Sequence, residues 1–217
     1  MSASNLYAAF LDLENRPVLL VGGGSVAARK ARALLRADAD VTVVCPGAGE
    51  DMAKLERAGS ISRHRRSYRS SDIEGKWLVI AATDDEELNR AVSRDAEEAG
   101  IFCNVVDCPE LCSFQVPATV RRGDLQLAIS TRGSSPLLAR RLRERLEEEF
   151  GPEYEPLLRG LSQLRDAVQE AYPGNADRRR TALQQFVDSD IPGLLLQHGD
   201  QEAFERGLRE WMRENLK

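Results

Sequence analysis

No apolar run in this sequence approaches the ~20 residues needed to cross a bilayer. Met1-Ser2-Ala3-Ser4-Asn5 lacks the basic start and long apolar core of a secretory leader. The expectation is a cytoplasmic protein without membrane association. Cysteine is scarce, with four in 217 residues, so the four read as thiols rather than as a disulfide framework. Basic residues do not dominate: 30 Lys and Arg against 35 Asp and Glu leave a formal net charge of −5. That balance argues against general nucleic-acid binding. Internal repeats and low-complexity tracts are also absent. What remains, 42% apolar and 30% charged residues, describes a globular chain long enough for one main domain with a smaller companion.

The chain is organised around PVLLVGGGSVAARKARALL, residues 17–35. The apolar run Val18-Leu19-Leu20-Val21 leads into Gly22, Gly23 and Gly24, and strong helix formers follow Ser25 and Val26. Gly22, Gly24 and Ala27 fit G-x-G-x-x-G/A, the dinucleotide-binding fingerprint. Gly22 permits the tight turn, Gly24 lets backbone approach a pyrophosphate, and Ala27 allows close helix–strand packing. The N–H groups at Ser25 and Val26 then face the anion. The plainer reading is an ordinary tight turn, but the flanking strand and helix patterns favour a nucleotide loop.

Further along, Asp40 to Cys45 reads as a second strand stopped by Pro46-Gly47, and Met52 to Ala58 as a helix. Ile61 to Tyr68, with Arg63-His64-Arg65-Arg66, reads as a short solvated edge strand. Trp77 to Ala82 is a buried strand, Thr83 or Asp84 caps a helix from Glu86 to Ala99, and Ile101 to Val106 is another strand ending at Asp107. Alternating strands and helices imply an α/β, doubly wound parallel sheet of the Rossmann type. Its carboxyl edge would bring Gly22–Val26, Pro46 and Gly47, and Thr83 and Asp84 together as a cofactor site. Leu6 to Leu13 reads as a packing segment before the first strand.

After Pro109 the pattern changes. Ser113 to Val120 and Leu125 to Ser130 read as a hairpin turning at Arg121-Arg122-Gly123-Asp124. Ser134 or Ser135 caps a helix running to Phe150, with Leu137, Leu138, Leu142 and Leu146 on one stripe. From Tyr154 the chain is helical in pattern, punctuated by Pro173-Gly174 and Pro192-Gly193. The expected division is a Rossmann domain over residues 1–112, an α+β hairpin-and-helix segment for dimerisation and substrate over 113–150, and a helical domain over 151–217.

LLVGGGSVAARKARALL, IAATDDEELN, IFCNVVD, SFQVPA and LAISTRGSSPLLARRLRE stand in one order across residues 6–150. In these pieces the chain resembles the precorrin-2 dehydrogenase/sirohydrochlorin ferrochelatase family of sirohaem biosynthesis. The methyltransferase domain of some members is not in this sequence. The resemblance implies NAD as hydride acceptor, a tetrapyrrole substrate, a homodimer, and in some members ferrous iron as a second substrate. It implies that Asp107 is the catalytic acid/base, taking a proton as hydride leaves the neighbouring carbon. It also places Ser130 and Thr131 near the cleft, where a hydroxyl either bonds substrate or caps the next helix, and Asn104 and Ser113 are expected on the substrate side as well. Arg121, Arg122, Arg132, Arg140 and Arg141 read either as a solvated hairpin and helix face or, with Arg132 the chosen contact, as recognition of a substrate rich in carboxylates, which arginine's forked donors suit.

Two features stand apart. The second strand ends in Cys45-Pro46, where an acidic residue commonly binds the ribose 2′-OH. NAD is still expected over NADP, because no arginine follows this strand. Cys103, Cys108 and Cys112 flank Asp107, but their spacing fits neither a zinc pair nor a common iron–sulfur run, so no metal site is expected. The competing class is a non-catalytic NAD-sensing module, which Asp107→Asn would leave unaffected. A chelatase without dehydrogenase activity would keep Asp107 but fail to bind NAD.

Overall fold

A computed structural model describes residues 6–216. The reading of Met1-Ser2-Ala3-Ser4-Asn5 falls outside the described residues. The chain forms two compact units, the first ending at Val116 and the second beginning at Pro117.

In the first unit, β1 (Pro17–Val21), β2 (Asp40–Val44), β3 (Ser62–His64), β4 (Leu78–Ala81) and β5 (Phe102–Val105) form one sheet in the order β3-β2-β1-β4-β5. Every pairing is parallel. Helices α1 (Ser25–Leu35), α2 (Glu50–Arg57) and α3 (Glu86–Glu98) connect the strands. The uninterrupted apolar run of β1 is what a strand covered on both faces requires. Val18 and Leu20 pack with Ala27, Ala28, Ala31 and Met52, whereas Leu19 and Val21 pack with Val79, Val92, Ala96 and Cys103. The expected α/β, doubly wound architecture is therefore present. The chain runs outward from β1 to β3, then returns to the other side of β1, which leaves a crevice beyond the ends of β1 and β4.

Several local expectations are corrected. Of Leu6 to Leu13, only Leu13 packs into the core, and Tyr7 is 93% exposed. The edge strand β3 spans three residues, because Arg66 bends away to pair with Asp72 at 2.8 Å. Asp85, not Thr83 or Asp84, caps α3, accepting from the Leu88 N–H at 3.0 Å. Ser113 and Phe114 are not hairpin strand: both donate their N–H groups to the Cys103 carbonyl, covering the outer edge of β5.

In the second unit, β6 (Ala118–Arg122) and β7 (Leu125–Ile129) pair antiparallel, so the turn is Gly123-Asp124 alone. Helix α4 (Pro136–Glu149) follows, capped by Ser135 rather than Ser134. Helices α5 (Tyr154–Ala171), α6 (Ala176–Val187), α7 (Ile191–Leu196) and α8 (Gln201–Asn215) share a core of Leu157, Leu164, Val168, Phe186, Leu195, Phe204 and Leu208. Pro173-Gly174 falls between α5 and α6, and Pro192-Gly193 follows directly on the break between α6 and α7. It lies in the first turn of α7, where the missing proline N–H costs nothing.

Candidate functional site

The register of the sheet sets the ends of three strands side by side. Val21 pairs with both Val44 and Ala81. The Gly22 N–H donates to the Val44 carbonyl at 3.1 Å, and the Ala82 N–H donates to Val21 at 2.8 Å. The loops beyond these ends enclose a cavity of about 520 Å³. Gly22, Gly23, Gly24, Ser25, Val26, Cys45, Pro46, Gly47, Thr83, Asp84 and Asp85 line it, and among its described lining residues none is basic.

The three glycines have different reasons to be glycine. Gly22 lies at φ 128°, and a Cβ there would collide with the Ala82 carbonyl oxygen. At Gly23 a Cβ would strike the Gly47 carbonyl oxygen, so this glycine locks the first loop against the second. At Gly24 a Cβ would meet no protein atom within 4 Å. Its missing side chain leaves room for a ligand, not for the fold. Gly24 is also the N-cap of α1, with no side-chain cap and no acidic residue in the first turn. The leading N–H groups and the positive end of α1 thus face the cavity unpaired by side chains, which suits a pyrophosphate. The residues present fit a nicotinamide dinucleotide.

The third loop is braced from behind. The Thr83 hydroxyl donates to Asn89 Oδ1 at 2.8 Å, and Asn89 Nδ2 returns a bond to the Thr83 carbonyl at 2.9 Å. Ser67, Tyr68 and Leu88 complete the lining. The Tyr68 hydroxyl donates to Asp95 at 2.9 Å, and burial followed by this bond pushes its pKa up.

Asp107 stands at the carboxyl end of β5, one strand beyond the cavity's third loop. It is exposed and takes the left-handed φ of 59° in the tight turn from Val105 to Cys108. Aspartate is among the non-glycine residues that adopt this conformation most readily, as Asp38 also does, and here it lets the chain turn sharply at the strand end. Lys30 of α1 lies within the field of Asp107 and Cys112: burial, then Arg29, lower its pKa, and those two groups oppose the shift.

Asn104 and Ser113 are engaged within the fold. Asn104 is buried and donates from Nδ2 to the Phe114 carbonyl at 3.1 Å, while the Ser113 hydroxyl accepts from the Cys103 N–H at 2.7 Å. Both brace the segment following Asp107. Both side chains therefore already hold backbone of this segment, and a substrate contact at either would use what those bonds leave free, such as Asn104 Oδ1. In the second unit, Ser130 accepts from the Arg132 N–H at 3.1 Å, and the Thr131 hydroxyl donates to the Ser135 carbonyl at 3.1 Å. Arg132 is exposed at φ 54°.

The Cys112 thiol is engaged by backbone. Cys112 Sγ accepts from the Val105 N–H at 3.2 Å. Burial raises all four thiols, Cys103 to about 11, which keeps them protonated and poor as nucleophiles. Among the described residues, no group of three or more His, Cys, Asp or Glu could hold a metal ion.

One reading of the basic run is overturned. Arg63 is not solvated: its side chain is 9% exposed and lies 3.0 Å from Glu56. Its guanidinium offsets part of the upward push that burial gives the Cys45 thiol, and its strand pairs with β2 at Val43, so an arginine does stand at the end of β2, on the neighbouring strand. Sequence reasoning missed Arg63, Ser67, Tyr68 and Lys30. Only Lys30 left a signal, three residues after Ala27 on the helix face assigned to packing.

A parallel doubly wound sheet with a glycine-lined, anion-ready crevice at its switch point defines a dinucleotide-binding protein. Residues 9–118 match the family described as "Putative NAD(P)-binding", and residues 122–149 match the central segment of sirohaem biosynthesis proteins. The chain belongs to this NAD(P)-binding family. It is 42% identical over 191 residues to siroheme synthase 3 of Aeromonas hydrophila, covering 88% of this chain and 41% of that protein. It is 39% identical over 201 residues to the siroheme synthase of Methylobacillus flagellatus, covering 93% and 43%. This chain therefore spans about two-fifths of the length of these curated relatives. The solved structure of SirC, a precorrin-2 dehydrogenase, superposes with a TM-score of 0.76 at 27% identity, over 94% of this chain and 100% of that one.

Proposed function

We propose that this chain is an NAD-dependent dehydrogenase acting on precorrin-2, yielding sirohydrochlorin. The carrying observation is Asp107, an exposed carboxylate held at φ 59° on the same sheet edge as the open glycine crevice and one strand away from it. When bound there, the nicotinamide supplies a hydride acceptor. The protein's share is proton removal and positioning. Asp107 accepts the proton released as hydride leaves the adjacent carbon, and the turn from Val105 to Cys108 fixes its direction. Gly22, Gly23, Gly24, Ser25 and Val26 hold the pyrophosphate, Pro46 and Gly47 the adenosine, and Thr83 and Asp84 the far side of the dinucleotide.

Ser130, Thr131 and Arg132 belong to the same proposal as substrate contacts. The reading extends to ferrous iron as a second substrate, with Asp107 accepting pyrrole protons, and to a cytoplasmic homodimer. The exposed leucines of α4, Leu137, Leu138 and Leu142, support the dimer, since a helix with no buried residue has an unpartnered face.

Asp107→Asn tests enzyme against sensor. Turnover should fall by about 10²–10⁴-fold, the usual contribution of a positioned acid/base group. NAD binding by calorimetry should stay unchanged. A variant with wild-type turnover would remove Asp107 from the chemistry.

A further inference from the structure

The end of β2 is where dinucleotide folds read the adenosine ribose, commonly through an acidic residue. Here that place holds Cys45, a neutral residue that lines the crevice and is 3% exposed. Behind it lies a concentration of positive charge. Arg63 reaches Cys45 from β3, its side chain nine-tenths buried, and its Nε makes no well-aligned hydrogen bond. Arg65 follows two residues later, and Arg66 one further on. Such a cluster next to the ribose would ordinarily attract a 2′-phosphate, for which guanidinium groups are well suited.

The cluster is instead tied down by carboxylates. Glu56 of α2 takes both nearest cations: Arg63 Nε lies 3.0 Å from Oε2, and Arg65 Nε donates to Oε1 at 3.1 Å. Asp72 takes Arg66 through both oxygens. A 2′-phosphate would have to draw Arg63 away from Glu56, leaving a carboxylate that is only 20% exposed without its inner partner.

We propose that Glu56 is a specificity-determining residue of the cofactor site. By holding Arg63 and Arg65, it denies a 2′-phosphate its cations and makes the crevice select the dinucleotide that lacks one. The inference rests on the cofactor reading above. It replaces the absent acidic residue at the strand end with a carboxylate acting one layer behind, through two arginines.

The test is calorimetric titration of the purified full chain with NAD and with NADP. Wild type should bind NAD more tightly. Glu56→Gln should shift the NADP-to-NAD affinity ratio towards NADP by about tenfold or more, the scale of one new bond to a charged group. Glu56→Gln combined with Arg63→Gln should cancel most of that shift. If Glu56→Gln fails to fold, Glu56→Asp provides the same readout, since the shorter carboxylate cannot span both arginines. A ratio unmoved in a folded variant, or a wild type that binds NADP as well as NAD, overturns the proposal. A wild type that binds neither dinucleotide overturns the cofactor reading itself.

Discussion

Helices α1 and α4 are both amphipathic and similar in length, 11 and 14 residues, yet they meet opposite environments. Helix α1 buries Ala27, Ala28, Ala31 and Leu34 against its own sheet. Helix α4 buries none of its residues, and Leu137 stands 60% exposed. The difference lies in what each chain segment has beside it. Small alanines let α1 sit directly on β1 and deliver its N-terminus to the crevice. The two-stranded ribbon beside α4 leaves Leu137, Leu138 and Leu142 exposed. The first unit is thus a closed core with one opening, and that opening is the site. The second has a closed core in α5–α8 and an open face on α4. An apolar stripe in sequence identifies a face that needs covering without saying what covers it.

The comparison can be broken or sharpened by substitutions of decreasing effect. Phe186→Ala removes a fully buried ring packed edge-on to Trp211, at 5.4 Å between centroids. It should cost about 3–5 kcal/mol, read by denaturant unfolding, and leave NAD binding in place. Loss of NAD binding as well would show that the two units do not fold separately. Gly24→Val fills space that no protein atom occupies. NAD affinity should drop by about tenfold or more, ~1.4 kcal/mol or above, with an unchanged thermal midpoint. A lowered midpoint with intact affinity would mean that this glycine serves the fold. Leu138→Glu places charge on the open face of α4 and should shift sedimentation from dimer to monomer without altering the melting of either unit. A sedimentation profile identical to wild type's would leave that face without a role in assembly.

The smallest expected effect is an acid dependence. The Arg66 guanidinium beside Asp72, together with the Arg69 N–H, holds the Asp72 carboxyl below its ordinary value of 3.8. A depressed folded-state pKa contributes stability that is complete above that ordinary value and is lost as pH falls through the lower one. Asp72→Asn should therefore flatten the stability profile in that acidic window and nowhere else, as followed by urea midpoints across pH.

Much of the first unit was legible because its signals are periodic and local. The run from Val18 to Val21, the β-branched residues from Val41 to Val44 and the glycines between strand and helix each announce their structure within a few residues. Asp107 was legible as a strand-end carboxylate, but its left-handed backbone was not. Where long-range pairing decides, sequence said less. Ser113 looks like strand but is not part of one: its N–H donates to the Cys103 carbonyl and the hairpin begins only at Ala118. Arg63 looks like a solvated residue on a polar edge. Its burial depends on Glu56 from another helix and on the close approach of Cys45, neither of which leaves a local trace. The misplaced cap at Asp85 has a similar cause, since the Thr83 hydroxyl was already engaged by Asn89 one turn into α3.

The central claim is most directly tested by mixing the purified chain anaerobically with precorrin-2 and NAD and following absorbance, then repeating without NAD. The account predicts conversion to sirohydrochlorin that requires both protein and NAD, with NADH formed in equal amount. A spectrum that NAD leaves unchanged, in a protein that calorimetry shows to bind NAD, would contradict it and leave the crevice as a nucleotide sensor.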